Sequence, residues 1–261
     1  MTYRFAVARR DHSDLASGSV LRSAPGHPAF PVRLASEVFL RAWHILRQPR
    51  LTVWDPCCGS GYLLTVLGLL HRDKIASVVA SDIAEDALRL ARANLALLSI
   101  EGLRRRAAEL DESARRFGRS SYREAGAAAG RLRASLSRSG GDLPTLVGRA
   151  DVFDREQVAV LLAGAPQPGL VLTDVPYGEQ TAWRGAGRAG GVPGLSRCLA
   201  TALPAATMLA VTTRGRRVPL PDGVRARARF KVGTRAVALV RLGDVAGADR
   251  WHAGASPPGA P

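Results

Sequence analysis

The sequence predicts a doubly wound α/β sheet, and three observations carry that prediction. Short apolar runs alternate with segments whose apolar residues recur at helical spacing. A glycine-rich turn, Asp55-Pro-Cys-Cys-Gly-Ser-Gly61, follows the first run, and an acid, Asp82, closes the next. Two late runs follow one another with no helical segment between them, which implies an antiparallel pair at the sheet's end.

The elements follow in order. Arg33 to Arg47 places Leu34, Val38, Phe39, Ala42, Ile45 and Leu46 on one helical face. Leu51 to Trp54 is a strand running into the glycine turn, and Tyr62 to His71 the helix behind it. Ser77 to Ala80 is a second strand, followed by a helix from Glu85 to about Ser99. Leu146 to Ala150 and Gly169 to Thr173 are further strands, with a helix over Val158 to Ala163 between them. A helix near Leu195 to Leu203 precedes strands at Thr207 to Thr212, Val224 to Phe230 and Arg235 to Leu242. Residues 1–50 form an extension packed on a 51–242 core, and 243–261, rich in small residues and proline, reads as a disordered tail.

Residues 101–140 break the rhythm. They hold ten arginines and five acids, yet Leu103, Ala107, Leu110, Ala114 and Phe117 share a helical face, as do Tyr122, Ala125, Ala129, Leu132 and Leu136 beyond Gly118. An inserted helical hairpin with an arginine-rich outer face is expected.

Charge narrows the partners. The net charge is +15, and only Lys74 and Lys231 of the 37 basic residues are lysine. Arginine's planar donor fork suits phosphate and stacks on bases, so a polyanion fits better than a membrane. Apolar runs are too short for a membrane span, and the first ten residues lack the apolar centre of a secretory signal, so a cytoplasmic protein is expected. A monomer is the separate expectation for its assembly. Cys57, Cys58 and Cys198 form neither a disulfide framework nor a metal clip, so they are expected to be reduced, with no metal bound.

The glycine turn and Asp82 suit an adenosine-containing cofactor, because glycines let backbone approach a ligand and a carboxylate can accept from a ribose diol. A nicotinamide cofactor is the rival. Against it, Leu64 stands at the third fingerprint position, and Asp55 puts a carboxylate where pyrophosphate would lie. That carboxylate suits an ammonium group.

Asp55 to Gly61 resembles the glycine-rich first motif of the class I methyltransferases, which bind S-adenosylmethionine. The resemblance makes Asp55, Gly59, Gly61, Asp82, Ile83, Asp151 and Val152 the cofactor residues, with Asp151 meeting the adenine amino group. Phe30, in Gly26-His-Pro-Ala-Phe-Pro31, resembles the Phe-Pro element that precedes that motif in amino-methylating members. Asp174-Val-Pro-Tyr177 resembles their Asn/Asp-Pro-Pro-Tyr motif, in which Asp174 and the Val175 carbonyl would accept N–H bonds, Pro176 fix the backbone and Tyr177 stack on the base. Valine replaces the usual first proline. Tyr177-Gly-Glu-Gln-Thr181 is similar to the run found in guanine-N2 methyltransferases of RNA, and the chain to about residue 242 is similar to the avilamycin-resistance rRNA methyltransferases.

The resemblance implies methylation of an exocyclic amino group in structured RNA, at guanine N2 of 23S rRNA, with resistance to an orthosomycin antibiotic. The partner would be rRNA or the large ribosomal subunit. Arg104, Arg105, Arg106, Arg115, Arg116, Arg214, Arg216 and Arg217 are expected to grip it. Adenine-N6 or another amino methylation, and an RNA-binding module with an inactive cofactor site, remain open on the residues alone.

Overall fold

The protein is described here as a computed structural model, covering residues 3–16, 18–175 and 190–254, with side chains to residue 248. The strands are β1 (Leu51–Asp55), β2 (Ile75–Asp82), β3 (Thr145–Arg149), β4 (Leu170–Asp174), β5 (Met208–Arg214), β6 (Ala228–Val232) and β7 (Arg235–Arg241). They form one sheet in the order β3-β2-β1-β4-β5-β7-β6. β1 to β5 run parallel, and β7 pairs antiparallel with both β5 and β6. β1 is buried along its whole length, as a strand covered on both faces must be.

One face carries α1 (Val32–Leu46), α2 (Tyr62–Leu70), α3 (Glu85–Leu95) and the hairpin α4 (Ile100–Phe117) and α5 (Ser120–Arg138). The other carries α6 (Arg155–Ala163), α7 (Gly191–Ala202) and α8 (Leu242–Gly254). Strand order reverses between β1 and β4. In open α/β sheets that reversal opens the ligand crevice at the strands' carboxyl ends, where Asp55 and Asp174 lie.

The extension is held by a buried carboxylate. Glu37 in α1 is fully buried, and accepts the backbone N–H groups of Arg4 (2.7 Å), Phe5 (2.8 Å) and Ala6 (2.7 Å) and the guanidinium of Arg41 at 2.6 Å. Those four donors hold its carboxyl below the ordinary glutamate range despite burial.

Three expectations change. α3 stops at Leu95 and a 3₁₀ turn, Ala96–Leu98, leads into α4, whose start is capped by the Ser99 hydroxyl on Gly102 N–H (2.9 Å). β6 begins at Ala228 and not at Val224, since Val224 N–H is spent in a turn to Pro221. The expected disordered tail begins instead as α8, because Leu242 and Val245 are fully buried against the second face; residues 255–261 lie outside the described structure.

Candidate active site

The turn after β1 places backbone in conformations that side chains resist. Gly59 and Gly61 have φ of +51° and +69°. A Cβ on Gly61 would lie 2.4 Å from Leu95 Cδ1 and 3.0 Å from Ala91 Cα, so the glycine lets α2 start hard against α3. Asp82, at the end of β2, accepts Gly59 N–H (2.9 Å) and Ala84 N–H (3.0 Å) and ties the turn to its own loop.

Asp55 is 2% exposed and accepts Cys57 N–H at 3.1 Å. Burial pushes its carboxyl up to about 7, with added repulsion from Asp82 and Asp174. Among the described residues no cation pairs with it. Burial likewise raises the thiols of Cys57 and Cys58, which leaves both protonated.

Asp174 ends β4 beside Thr212 of β5. Val175 N–H bonds to the Thr212 carbonyl at 3.1 Å, and the Val175 side chain is buried in the second core. Replacing proline by valine therefore adds a sheet hydrogen bond that proline could not make, which anchors this backbone from one side. Pro176 and Tyr177 lie outside the described residues.

Arg235 joins Asp174 at this place. The β5–β7 pairing sets it opposite Arg214, and its Nε stands 3.9 Å from Asp174 Oδ2. Its guanidinium also lies 5.2 Å from the ring centroid of Phe30, so the Phe-Pro element, Asp174 and the late strand meet at one place. No sequence motif marks Arg235; only strand register brings it here. The hydroxyls of Thr212 and Thr213, on opposite faces of β5, are buried and have no hydrogen-bond partner among the described residues.

Asp151 follows β3 and accepts Phe153 N–H (3.0 Å), with its own N–H held by Gln157. Val152 is buried behind it, and the Ile83 carbonyl accepts from Arg149 Nε at 3.2 Å. Asp55, Asp82, Asp151 and Asp174 thus lie at the carboxyl ends of β1, β2, β3 and β4.

These residues fit S-adenosylmethionine. The cofactor carries a sulfonium and an ammonium, and a desolvated carboxylate repelled by two others gains from either charge. A pyrophosphate would add to the repulsion.

The expected RNA contacts divide. Arg214, Arg216 and Arg217 are exposed at the carboxyl end of β5, on the side of Asp174. Arg104 and Arg105 pair with Glu101 in the first turns of α4, near Asp142, which caps Ile100 N–H (2.7 Å) at the opposite end of the sheet. Arg106 turns inward, donating to the carbonyls of Ser19 (2.9 Å) and Val20 (3.0 Å), so its place on a solvent-facing grip is corrected: it staples the hairpin to the N-terminal segment. Arg115 pairs with Glu112 and Arg116 lies over Phe117.

Strand order, the glycine turn and the ring of acids define a class I methyltransferase domain. The chain belongs to the rRNA methyltransferase AviRa family, whose model matches residues 1–235. It is 55% identical over 246 residues, 93% of this chain and 97% of the other, to the 23S rRNA (guanine(2535)-N(1))-methyltransferase of Streptomyces viridochromogenes. Two crystal structures of the rRNA methyltransferase AviRa from that organism superpose with TM-scores of 0.88, at 52% and 54% identity, covering 95% of this chain and 99% of theirs.

The relative's name puts the methyl on N1, which overturns the expectation of guanine N2 and of an exocyclic amino group. The physical reason is plain. Guanine presents N1–H and the 2-amino N–H side by side on one edge, so a carboxylate and a carbonyl that accept from that edge do not by themselves choose which nitrogen is alkylated.

Proposed function

We propose that this protein methylates N1 of a guanine in 23S rRNA, using S-adenosylmethionine held by Asp55, Asp82 and Asp151. The placement of Asp174 across the sheet's switch point from Asp55, with a guanidinium beside it, supports this reading most directly. The cofactor supplies an electrophilic methyl whose bonding pair leaves with sulfur.

N1 bears a proton that must depart as the N–C bond forms, since the product ring is neutral. Asp174 is the acceptor for that proton, and its carboxylate fixes the Watson–Crick edge together with the Val175 carbonyl, which can take the 2-amino N–H. Loss of the N1 proton spreads negative charge to O6. Arg235 balances charge at Asp174 and keeps a cation at the edge where that charge develops.

The test is methyl transfer to a 23S rRNA transcript, with nucleoside analysis and primer extension, because N1 methylation blocks base pairing and stops a reverse transcriptase. 1-Methylguanosine and a discrete stop are expected. Asp174→Asn should lower the single-turnover rate on the order of 10²- to 10⁴-fold with little change in RNA affinity. Methyl found on N2, or a near-normal Asp174→Asn rate, would overturn the reading.

A further inference from the structure

The hairpin tip carries a feature that cofactor binding and methyl transfer do not use. Every residue from Arg115 to Ser121 is exposed, and Phe117 at its centre is 55% exposed. Its ring lies 6.0 Å from that of Tyr122 at a tilt of 40°, and the Arg116 guanidinium is 5.2 Å from its centroid. Gly118, at φ +68°, ends α4 and turns the chain back. Among the described residues Arg116, Arg119 and Arg123 pair with no carboxylate, in contrast to Arg104 and Arg115.

The direction of the hairpin places this tip. Ile100 is capped by Asp142, just before β3 begins, at the amino end of the strands. Arg106 reaches Ser19 and Val20; Arg22 in the same segment meets Asn94, which in turn holds the Ser60 carbonyl in the cofactor turn. α4 thus climbs from the amino end to the level of the cofactor turn within its first two turns. At 1.5 Å per residue, Phe117 lies about 16 Å further along the helix axis than Arg106.

We propose that the tip is a stacking finger for single-stranded rRNA: Phe117, backed by Tyr122, takes the face of an unpaired base while Arg116, Arg119 and Arg123 contact the flanking phosphates. An exposed aromatic ring amid uncompensated arginines matches a base between phosphates. A second copy of this chain would bring a like-charged tip, on a protein of net charge +15, against it. The inference rests on the rRNA reading above and adds a contact outside the methyl-transfer site.

The experiment uses the full chain with an in vitro 23S rRNA transcript, measuring filter binding and steady-state methyl transfer for wild type, Phe117→Ala, Phe117→Leu and Phe117→Trp. Alanine and leucine should each raise Kd and KM for RNA roughly 5- to 150-fold, the span of one stacked base, with kcat at saturating RNA and S-adenosylhomocysteine affinity unchanged. Tryptophan should keep affinity, with its fluorescence quenched on binding. Arg119→Gln should flatten the logarithmic salt dependence by about 0.7. Unchanged Kd for Phe117→Ala overturns the finger, and rescue by leucine would mean an apolar protein contact instead. If wild type binds RNA in a Phe117-dependent way but transfers no methyl, the function falls and the finger stands. If it methylates rRNA and ignores Phe117, the finger alone falls, and absence of both binding and transfer removes both.

Discussion

Asp55→Asn isolates the electrostatic cost of the proposed cofactor site. The Asp55 carboxyl is raised from 3.8 to about 7 by burial first and by Asp82 and Asp174 after it. Because the folded value lies above the unfolded one, the native state holds an extra proton between those limits. The stabilisation this gives is complete below about pH 4, is lost as pH rises, and is gone above about 7. Three units at 1.36 kcal/mol each amount to about 4 kcal/mol, and the residue is too buried for solvent to screen much of it. Asparagine removes the titration but can still accept Cys57 N–H through its amide oxygen. Urea unfolding of the cofactor-free protein from pH 5 to 8 should therefore show wild type losing stability by an amount of order a few kcal/mol that Asp55→Asn does not lose. Calorimetry should show the converse for S-adenosylhomocysteine. Wild-type affinity should weaken by up to tenfold per unit as pH falls below about 7, with proton release on binding, and the variant should bind weakly throughout. Parallel stability curves for the two proteins would refute this account of Asp55.

Two further outcomes follow from packing. Gly61→Ala forces a side chain into a left-handed conformation and into Leu95, so it should cost about 2–5 kcal/mol and lower the thermal midpoint sharply; a loss below about 0.5 kcal/mol would contradict the close approach of α2 and α3. Arg106→Ala leaves the Ser19 and Val20 carbonyls without their donor and should cost about 1–3 kcal/mol by urea unfolding, while Arg105→Ala, whose side chain is exposed, should be neutral within about 0.5 kcal/mol. Equal effects of the two would mean that Arg106 faces solvent after all.

By itself the sequence determined the alternation of strands and helices, the antiparallel close, the inserted hairpin and the positions of Asp55, Asp82, Asp151 and Asp174. Each of these is written locally: periodicity marks elements, and a glycine turn or an acid at a strand end needs only its neighbours to be legible. The helix after β7 is not legible in a composition that suggests disorder, whereas burial of Leu242 and Val245 against a face built by distant segments stabilises it. Arg106 reads like its neighbours Arg104 and Arg105, and only the docking of Ser19 and Val20 turns it inward. The motif resemblance implies N2 where the relative's name gives N1, because both nitrogens share one edge of guanine and a four-residue motif specifies acceptors without the angle at which the base lies. Arg235 is the clearest case of a residue brought to the candidate site by tertiary structure alone. It sits 61 positions from Asp174 with no pattern linking them, and reaches that carboxylate because β7 inserts antiparallel beside β5 in a register set by their buried side chains.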